Sequence, residues 1–420
     1  MSTEQLIVSL GVILLATRLF GWLGQFIGQP RVVGEMTAGI VLGPSLLGAL
    51  FPSAFARVFP PSSVPTLAAL SQIGLLLFMF VIGLEVDPKQ VMKQSVPVIL
   101  TSNFSVLVPL ALGLAFAKVV FHELAGEHIA FLSFGLFMGT ALSITAFPVL
   151  ARILKERRLL STELGAVAIS CAAVDDVTAW LLLAILTAMV HTAENWVLLA
   201  ETLLSLAAFT GFMLIPVRRA LALMQEKYPA AAAQGSFFFV LILLMLAASW
   251  TTERLGVHPL FGAFIAGFVV PKEHALAAKT AEKVESVTLA LLLPLFFALT
   301  GLRTRIDLLH GGRLWAHALL ILLIAIAGKF LGASLASRLT GISWRNSLGL
   351  GVLMNTRGLV ELVILNAGLE LGILSPALFT MMVLMALVTT FMATPLLDWL
   401  KIKAPEEHAA AASVTLREPR

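Results

Sequence analysis

Long apolar runs alternate with short polar connections along almost the whole chain, and this alternation restricts the fold more than any other feature. The runs cover roughly residues 5–24, 31–50, 64–84, 95–117, 129–151, 163–190, 195–216, 236–252, 257–271, 286–302, 314–337, 345–369 and 375–400. A helix that crosses the hydrocarbon core of a bilayer takes about 20 apolar residues. The pattern therefore predicts about thirteen transmembrane helices, several of them short or interrupted by Pro or Gly. Of the 420 residues, 59% are hydrophobic and 12% charged, against about 45–50% and about 25% in soluble proteins. So much apolar surface excludes a soluble enzyme, a disordered chain and a nucleic-acid-binding domain. The first run follows Glu4 and continues through Arg18 and Trp22 without a small-residue cleavage site, so it reads as a first span and not as a signal peptide.

The charges are sorted by side. Odd-numbered connections carry Arg31; Lys89 and Lys93; Arg152, Lys155, Arg157 and Arg158; Arg218, Arg219 and Lys227; Lys272, Lys279 and Lys283; Arg338 and Arg345. Even-numbered ones carry Arg57, Lys118, Arg254, Arg303, Arg305 and Arg313, and Lys401 and Lys403 follow the last run. Positive charge stays on the cytoplasmic side. The expected topology has the N-terminus outside and the C-terminus in the cytoplasm, within an integral membrane protein of the cell (inner) membrane. The net charge of +4 then reflects topology and calls for no nucleic acid. Residues 404–420 read as a disordered cytoplasmic tail. The single Cys171 excludes an internal disulfide and reads as a packed small hydrophobe.

The chain repeats itself at an interval of seven spans. Leu75–Leu84, followed by Glu85 and Asp87, is similar to Leu291–Leu302, followed by Arg303 and Asp307; Ala38–Pro44 is similar to Ala266–Pro271. An odd offset places the two copies in opposite orientations, an arrangement typical of secondary transporters. In such folds the ion site lies on discontinuous helices at equivalent places in the two halves. Span five reads Gly139-Thr-Ala-Leu-Ser143-Ile-Thr145-Ala-Phe-Pro148, and span twelve reads Gly349-Leu-Gly-Val-Leu-Met-Asn355-Thr-Arg357-Gly358. Each has a polar interruption near mid-membrane beside a helix breaker, Pro148 or Gly358. A simple kink is the bland reading of either one alone.

Charged side chains inside spans are costly and mark function. Span six carries Asp175 and Asp176, which point about 100° apart on a helix and so have separate roles. Lys329 lies inside span eleven and needs a counter-ion, for which one of the aspartates is the candidate, unless it snorkels to the surface. Arg357 and Glu361 are spaced to pair on one helix face. Two roles remain open for that pair, a salt bridge holding the broken helix and direct participation in transport. Glu35, His191 and His258 read as boundary residues without a role.

The segments Ile144-Thr-Ala-Phe-Pro-Val-Leu-Ala151, Asp175-Asp176 and Asn355-Thr-Arg-Gly-Leu-Val-Glu-Leu362 resemble the cation:proton antiporter-2 family of sodium/proton and potassium/proton exchangers, over essentially the whole membrane region. The resemblance implies an all-α polytopic membrane protein of about 13 helices: two inverted six-helix repeats, about 5–190 and 236–400, joined by a linker helix at about 195–216, with spans five and twelve crossed and discontinuous. The membrane antiporter domain would cover 1–403, without a C-terminal nucleotide-binding regulatory domain. The resemblance further implies a homodimer and no cofactor. Carried over by position, Asp176 binds the monovalent cation or protons in turn, Asp175 pairs with Lys329, and Thr145 and Ser143 lie near the ion. Asn355, Arg357, Glu361, Pro148 and Gly358 support the broken helices. Two adjacent aspartates imply electrogenic exchange, with Lys329 as a second proton carrier.

Other readings fit less well. An intramembrane aspartyl protease needs two aspartates facing each other from different helices. A cation channel could also use polar mid-membrane helices, but would not need paired Asp and Lys in a repeat. A sodium-driven solute symporter would need a larger polar cavity.

Overall fold

The computed structural model describes residues 3–85, 96–127, 129–160, 162–192, 195–227, 236–271, 282 and 284–402. The tail 404–420, Asp87 and the basic residues Lys89, Lys93, Lys272, Lys279, Lys283 and Lys403 lie outside the described residues. The described chain is all-helical, with one isolated bridge between Ala125 and Leu374. In chain order the helices are α1 (Thr3–Phe26), α2 (Arg31–Leu42), α3 (Val64–Glu85), α4 (Val96–Leu124), α5a (Phe131–Ser143), α5b (Phe147–Glu156), α6 (Glu163–His191) and α7 (Trp196–Phe212, continuing to Lys227). They are followed by α8 (Ser236–Arg254), α9 (Pro259–Phe268), α10 (Leu293–Arg303), α11 (Gly311–Leu339), α12a (Trp344–Met354), α12b (Leu359–Glu370) and α13 (Pro376–Trp399).

Each expected apolar run contains a helix, and the expected count of about thirteen spans is not confirmed by helix length and composition. Among the described residues ten helices are long and apolar enough to cross a bilayer, and α12a with α12b makes an eleventh if that bent pair is one span. The shortfall is physical. α2 stops at Leu42 after 12 residues because Gly43 leaves the helix with an extended backbone before Pro44. α9 has 10 residues, about 15 Å of helix, half the thickness of the hydrocarbon core.

Local chemistry sets the boundaries. Side chains of Thr162, Ser343 and Ser375 accept from backbone amides in the first turns of α6, α12a and α13, replacing intrahelical partners those amides lack. Proline occupies the first turn of α5b, α9, α10 and α13, where no donor is needed. Gly28 and Gly372 turn the chain at positive φ, 74° and 70°.

The helices pack in two groups. In one, α1 packs on α2, α2 on α10, α3 on α9 and α10, and α8 on α9. In the other, α4 packs on α5a, α6 and α11, α11 on α12a and α13, and α12b on α13. The pairings recur at an interval of seven helices: α1–α2 with α8–α9, α2–α10 with α9–α3, and α4–α6 with α11–α13. Glycines permit the closest of these contacts. A side-chain carbon at Gly301 would run into the backbone of Gly39 and Ile40, and one at Gly267 into that of Phe80 and Leu84. The perimeter is apolar, with Leu15, Phe26, Leu204 and Ile215 among its most exposed side chains, as lipid solvation requires. The apolar stretch of α5 is 78% buried inside the protein and that of α7 only 17%. α5 is thus central and α7 peripheral.

Gly301→Ala should destabilise the protein by about 1–3 kcal/mol, because a methyl group there meets backbone that cannot yield. Gly11→Ala, where nothing lies within 4 Å, should be neutral or stabilising by up to about 1 kcal/mol. Thermal unfolding of the two variants in detergent measures the difference.

Candidate ion-binding site

The two broken helices meet at their breaks. α5a ends at Ser143 and α5b begins at Phe147, with Pro148 in its first turn; α12a ends at Met354 and α12b begins at Leu359, bent from it by 41°. The interruptions hydrogen-bond to each other. The Ala146 amide donates to the Thr356 carbonyl at 3.0 Å, and the Thr145 hydroxyl oxygen lies 2.8 Å from the Met354 carbonyl. Gly358 has an extended backbone (φ 173°), and its value is proximity. A side-chain carbon there would meet Val149 Cγ2 at 2.5 Å and Ala146 Cβ at 3.3 Å.

Arg357 ties the crossing together. Its Nη1 donates to the Ala141 carbonyl at 2.7 Å and its Nη2 to the Leu142 carbonyl at 2.6 Å. These are among the last carbonyls of α5a, orphaned by the break and carrying the negative end of its dipole. Nη1 also pairs with Glu361 Oε2 at 3.0 Å, with both side chains fully buried. The Thr390 hydroxyl of α13 accepts from the Arg357 amide at 3.0 Å and lies 2.7 Å from the Arg357 carbonyl.

The aspartates of α6 are both 1% exposed, yet their surroundings differ. Asp175 Oδ2 accepts from Lys329 Nζ at 2.7 Å, Thr145 Oγ1 at 2.7 Å and Ser105 Oγ at 3.0 Å. Lys329 has no exposed surface and does not snorkel. Among the described residues no side chain hydrogen-bonds to either oxygen of Asp176. The group approaching it is the backbone amide of Phe147, at the N-terminus of α5b, where a half-helix dipole presents partial positive charge. A buried carboxylate without a counter-charge costs several kcal/mol. Oδ1 of Asn355 and Oε1 of Glu361 are likewise buried without a donor.

Other expected residues lie elsewhere. The Ser143 hydroxyl donates to the backbone carbonyls of Gly139 and Val106, at 2.6 and 2.9 Å, and makes no hydrogen bond to either aspartate. His258 is the N-cap of α9 and accepts from the Leu260 amide at 3.4 Å, while Glu35 is half-buried on α2. His191 and His258 line a cavity of about 430 Å3 between the two helix groups, as do residues of α3, α6, α8, α10 and α12b. Neither aspartate is in its wall. Ser105 and Thr390 are site residues not singled out in the sequence. The signal for Ser105 was a polar cluster, Thr101 to Ser105, in an otherwise apolar helix; Thr390 offers no comparable signal. Among the described residues no group of three or more His, Cys, Asp or Glu could hold a metal ion.

Removing Arg357 leaves Glu361 and two helix-end carbonyls buried without a donor. Arg357→Ala should therefore cost about 3–5 kcal/mol of stability, read as a lowered melting temperature in detergent.

The chain was compared with known proteins. The family model described as "Sodium/hydrogen exchanger, transmembrane" matches residues 12–402. The Na(+)/H(+) antiporter NhaS4 of Synechocystis is 42% identical over 401 residues, covering 94% of this chain and 98% of that protein. The cation/H(+) antiporter 17 of Arabidopsis thaliana is 39% identical and the K(+)/H(+) antiporter 1 of Saccharomyces cerevisiae 35% identical, over 93% and 92% of this chain. This chain spans about half the length of those two relatives, 48% and 45%. In fold it is similar to the sodium proton antiporter MjNhaP1 of Methanocaldococcus jannaschii, with a TM-score of 0.70 over 96% of this chain and 99% of that one, at 16% identity. The chain belongs to the transmembrane sodium/hydrogen exchanger family.

Proposed function

We propose that this chain exchanges a monovalent cation, Na+ or K+, for protons across a membrane by alternating access, with cation and protons competing for Asp176. The observation that carries this reading is the contrast between the adjacent aspartates. Asp175 is held by Lys329, Thr145 and Ser105, whereas Asp176 is equally buried and among the described residues has no side-chain partner or counter-charge, only the backbone amide of Phe147. A dehydrated cation or a proton neutralises Asp176, and the two exclude each other there. Either neutral form lets the ion-binding group cross the barrier, and the empty charged site stays in place because carrying it through low dielectric is costly. The enclosure of both carboxylates suits alternating access better than an open pore. The relatives named above include a Na(+)/H(+) and a K(+)/H(+) antiporter, and both cations stay within the reading.

The finer assignments follow the same line. Thr145 holds Asp175, and Asn355 offers an acceptor beside the crossing. Ser143 contributes by bracing α5a against α4. Lys329 serves as the second proton carrier, which makes exchange electrogenic. Two inverted repeats, about 5–190 and 236–400, joined by a linker at about 195–216, are supported by the recurrence of helix pairings at an interval of seven. We place the N-terminus outside and the C-terminus in the cytoplasm of the cell (inner) membrane, on the sorting of basic residues among the connections. The working unit is a homodimer, as the sequence resemblance implies.

Asp176→Asn should abolish cation-dependent proton flux in proteoliposomes, a loss of at least about a hundredfold, since the neutral amide neither pairs with a cation nor takes up and releases a proton. Retained exchange would contradict the assignment. Electrogenic exchange should run faster when an ionophore collapses the membrane potential it builds, and an unchanged rate would mean electroneutral exchange.

A further inference from the structure

The cavity of about 430 Å3 lies where the two helix groups face each other, and it ends in a cluster that joins them. Asn366 of α12b is 7% exposed. Its amide nitrogen donates to Thr300 Oγ1 of α10 at 2.9 Å and to the Leu362 carbonyl of its own helix at 2.8 Å. Its amide oxygen accepts from Arg303 Nη1 of α10 at 2.8 Å, and the same Nη1 donates to Glu370 Oε1 of α12b at 2.8 Å. The side chain of Asn366 is thus saturated by two residues of the opposite group and one of its own. Arg303 adds a charge-assisted bond across the same gap.

The position gives these bonds leverage on the ion site. α12b begins beside the crossing at Leu359, and Asn366 lies about 10 Å further along it by helical rise. Any movement of the ion-binding group past α10 must break the Thr300–Asn366 and Arg303–Asn366 bonds together. Asn366, 7% exposed, can trade them only for water in the cavity it lines, whereas Arg303 and Glu370, with 28% and 40% of their side chains exposed, are readily rehydrated. The cluster is therefore cooperative in closing and has a wet edge from which to open.

We propose that Thr300, Arg303, Asn366 and Glu370 form a latch that closes the transport path on this face, holding the ion-binding group in one of its two positions and opening once in each exchange cycle. This rests on the antiport reading and adds to it the residues that set the balance between the two positions. Arg303 and Asn366 are positioning residues in this scheme and do not touch the transported ion. Loss of one such bond shifts a two-position equilibrium by about threefold to tenfold. Arg303→Ala should change the half-saturating cation concentration on this face by that factor. Arg303→Lys, which keeps the charge, should recover part of the shift. The melting temperature of both should stay near that of the parent, because the latch bonds are made in one position only.

The decisive variant carries Thr300→Cys and Asn366→Cys, positions whose polar atoms are in contact across the gap. The one native cysteine, Cys171, is buried and can remain. In proteoliposomes, oxidation should join the pair and stop exchange, and a reductant should restore it. Full exchange with the disulfide verified by mass spectrometry would overturn the latch, as would failure of the two cysteines to join. The parent protein in parallel vesicles keeps the two claims apart. No exchange by the parent counts against antiport, whereas exchange by both parent and cross-linked variant counts against the latch alone.

Discussion

A helix broken inside a membrane leaves backbone donors and acceptors that lipid cannot satisfy. Much of this protein's interior answers that constraint. The two breaks satisfy each other through Ala146 and Thr356, and through Thr145 and Met354. Arg357 takes two of the carbonyls left at the end of α5a, Glu361 balances Arg357, and Thr390 holds the Arg357 backbone from a third helix. The arrangement is dense because each part is also the partner of another. Its by-product is chemical. Half-helix termini converge beside α6, where two carboxylates tolerate burial only with compensating charge.

From that crossing the division of labour between Asp175 and Asp176 follows. Successive residues on a helix diverge by about 100°, so one faces Lys329 and the hydroxyls of Thr145 and Ser105, and the other faces the start of α5b. A protein that needed only stability would not keep Asp176 in that position. Among the described residues no side chain hydrogen-bonds to it, and what faces it is the backbone amide of Phe147. Lys329 pairs with Asp175 and not with Asp176.

Much of this was legible in the sequence, and the limits have physical causes. The apolar runs, the interruptions at Ile144–Ala146 and Asn355–Gly358, and the buried charges Asp175, Asp176, Lys329, Arg357 and Glu361 stand out because a membrane makes polarity expensive. Span length is less visible, since α2 and α9 are as apolar as full spans yet end after 12 and 10 residues. Hydroxyls are harder still. Ser105 and Thr390 bear on the site, whereas Ser143 spends its hydrogen bond on backbone carbonyls. A serine costs little in a helix because it can bond its own turn, so its presence does not announce which of these it does. Gly358, read as a helix breaker, sits at the break and also approaches Val149 and Ala146 closely. Arg303 and Asn366 are far apart in sequence and meet only where α10 and α12b face each other across the gap between the helix groups.

The central claim is that cation and protons exclude each other at one carboxylate. The direct measurement is equilibrium binding of the cation to purified protein across a range of pH. Competition at Asp176 predicts that acidification weakens the apparent affinity, by up to about tenfold per pH unit for each proton displaced, while the number of sites stays the same. Cation affinity that does not change with pH would contradict it.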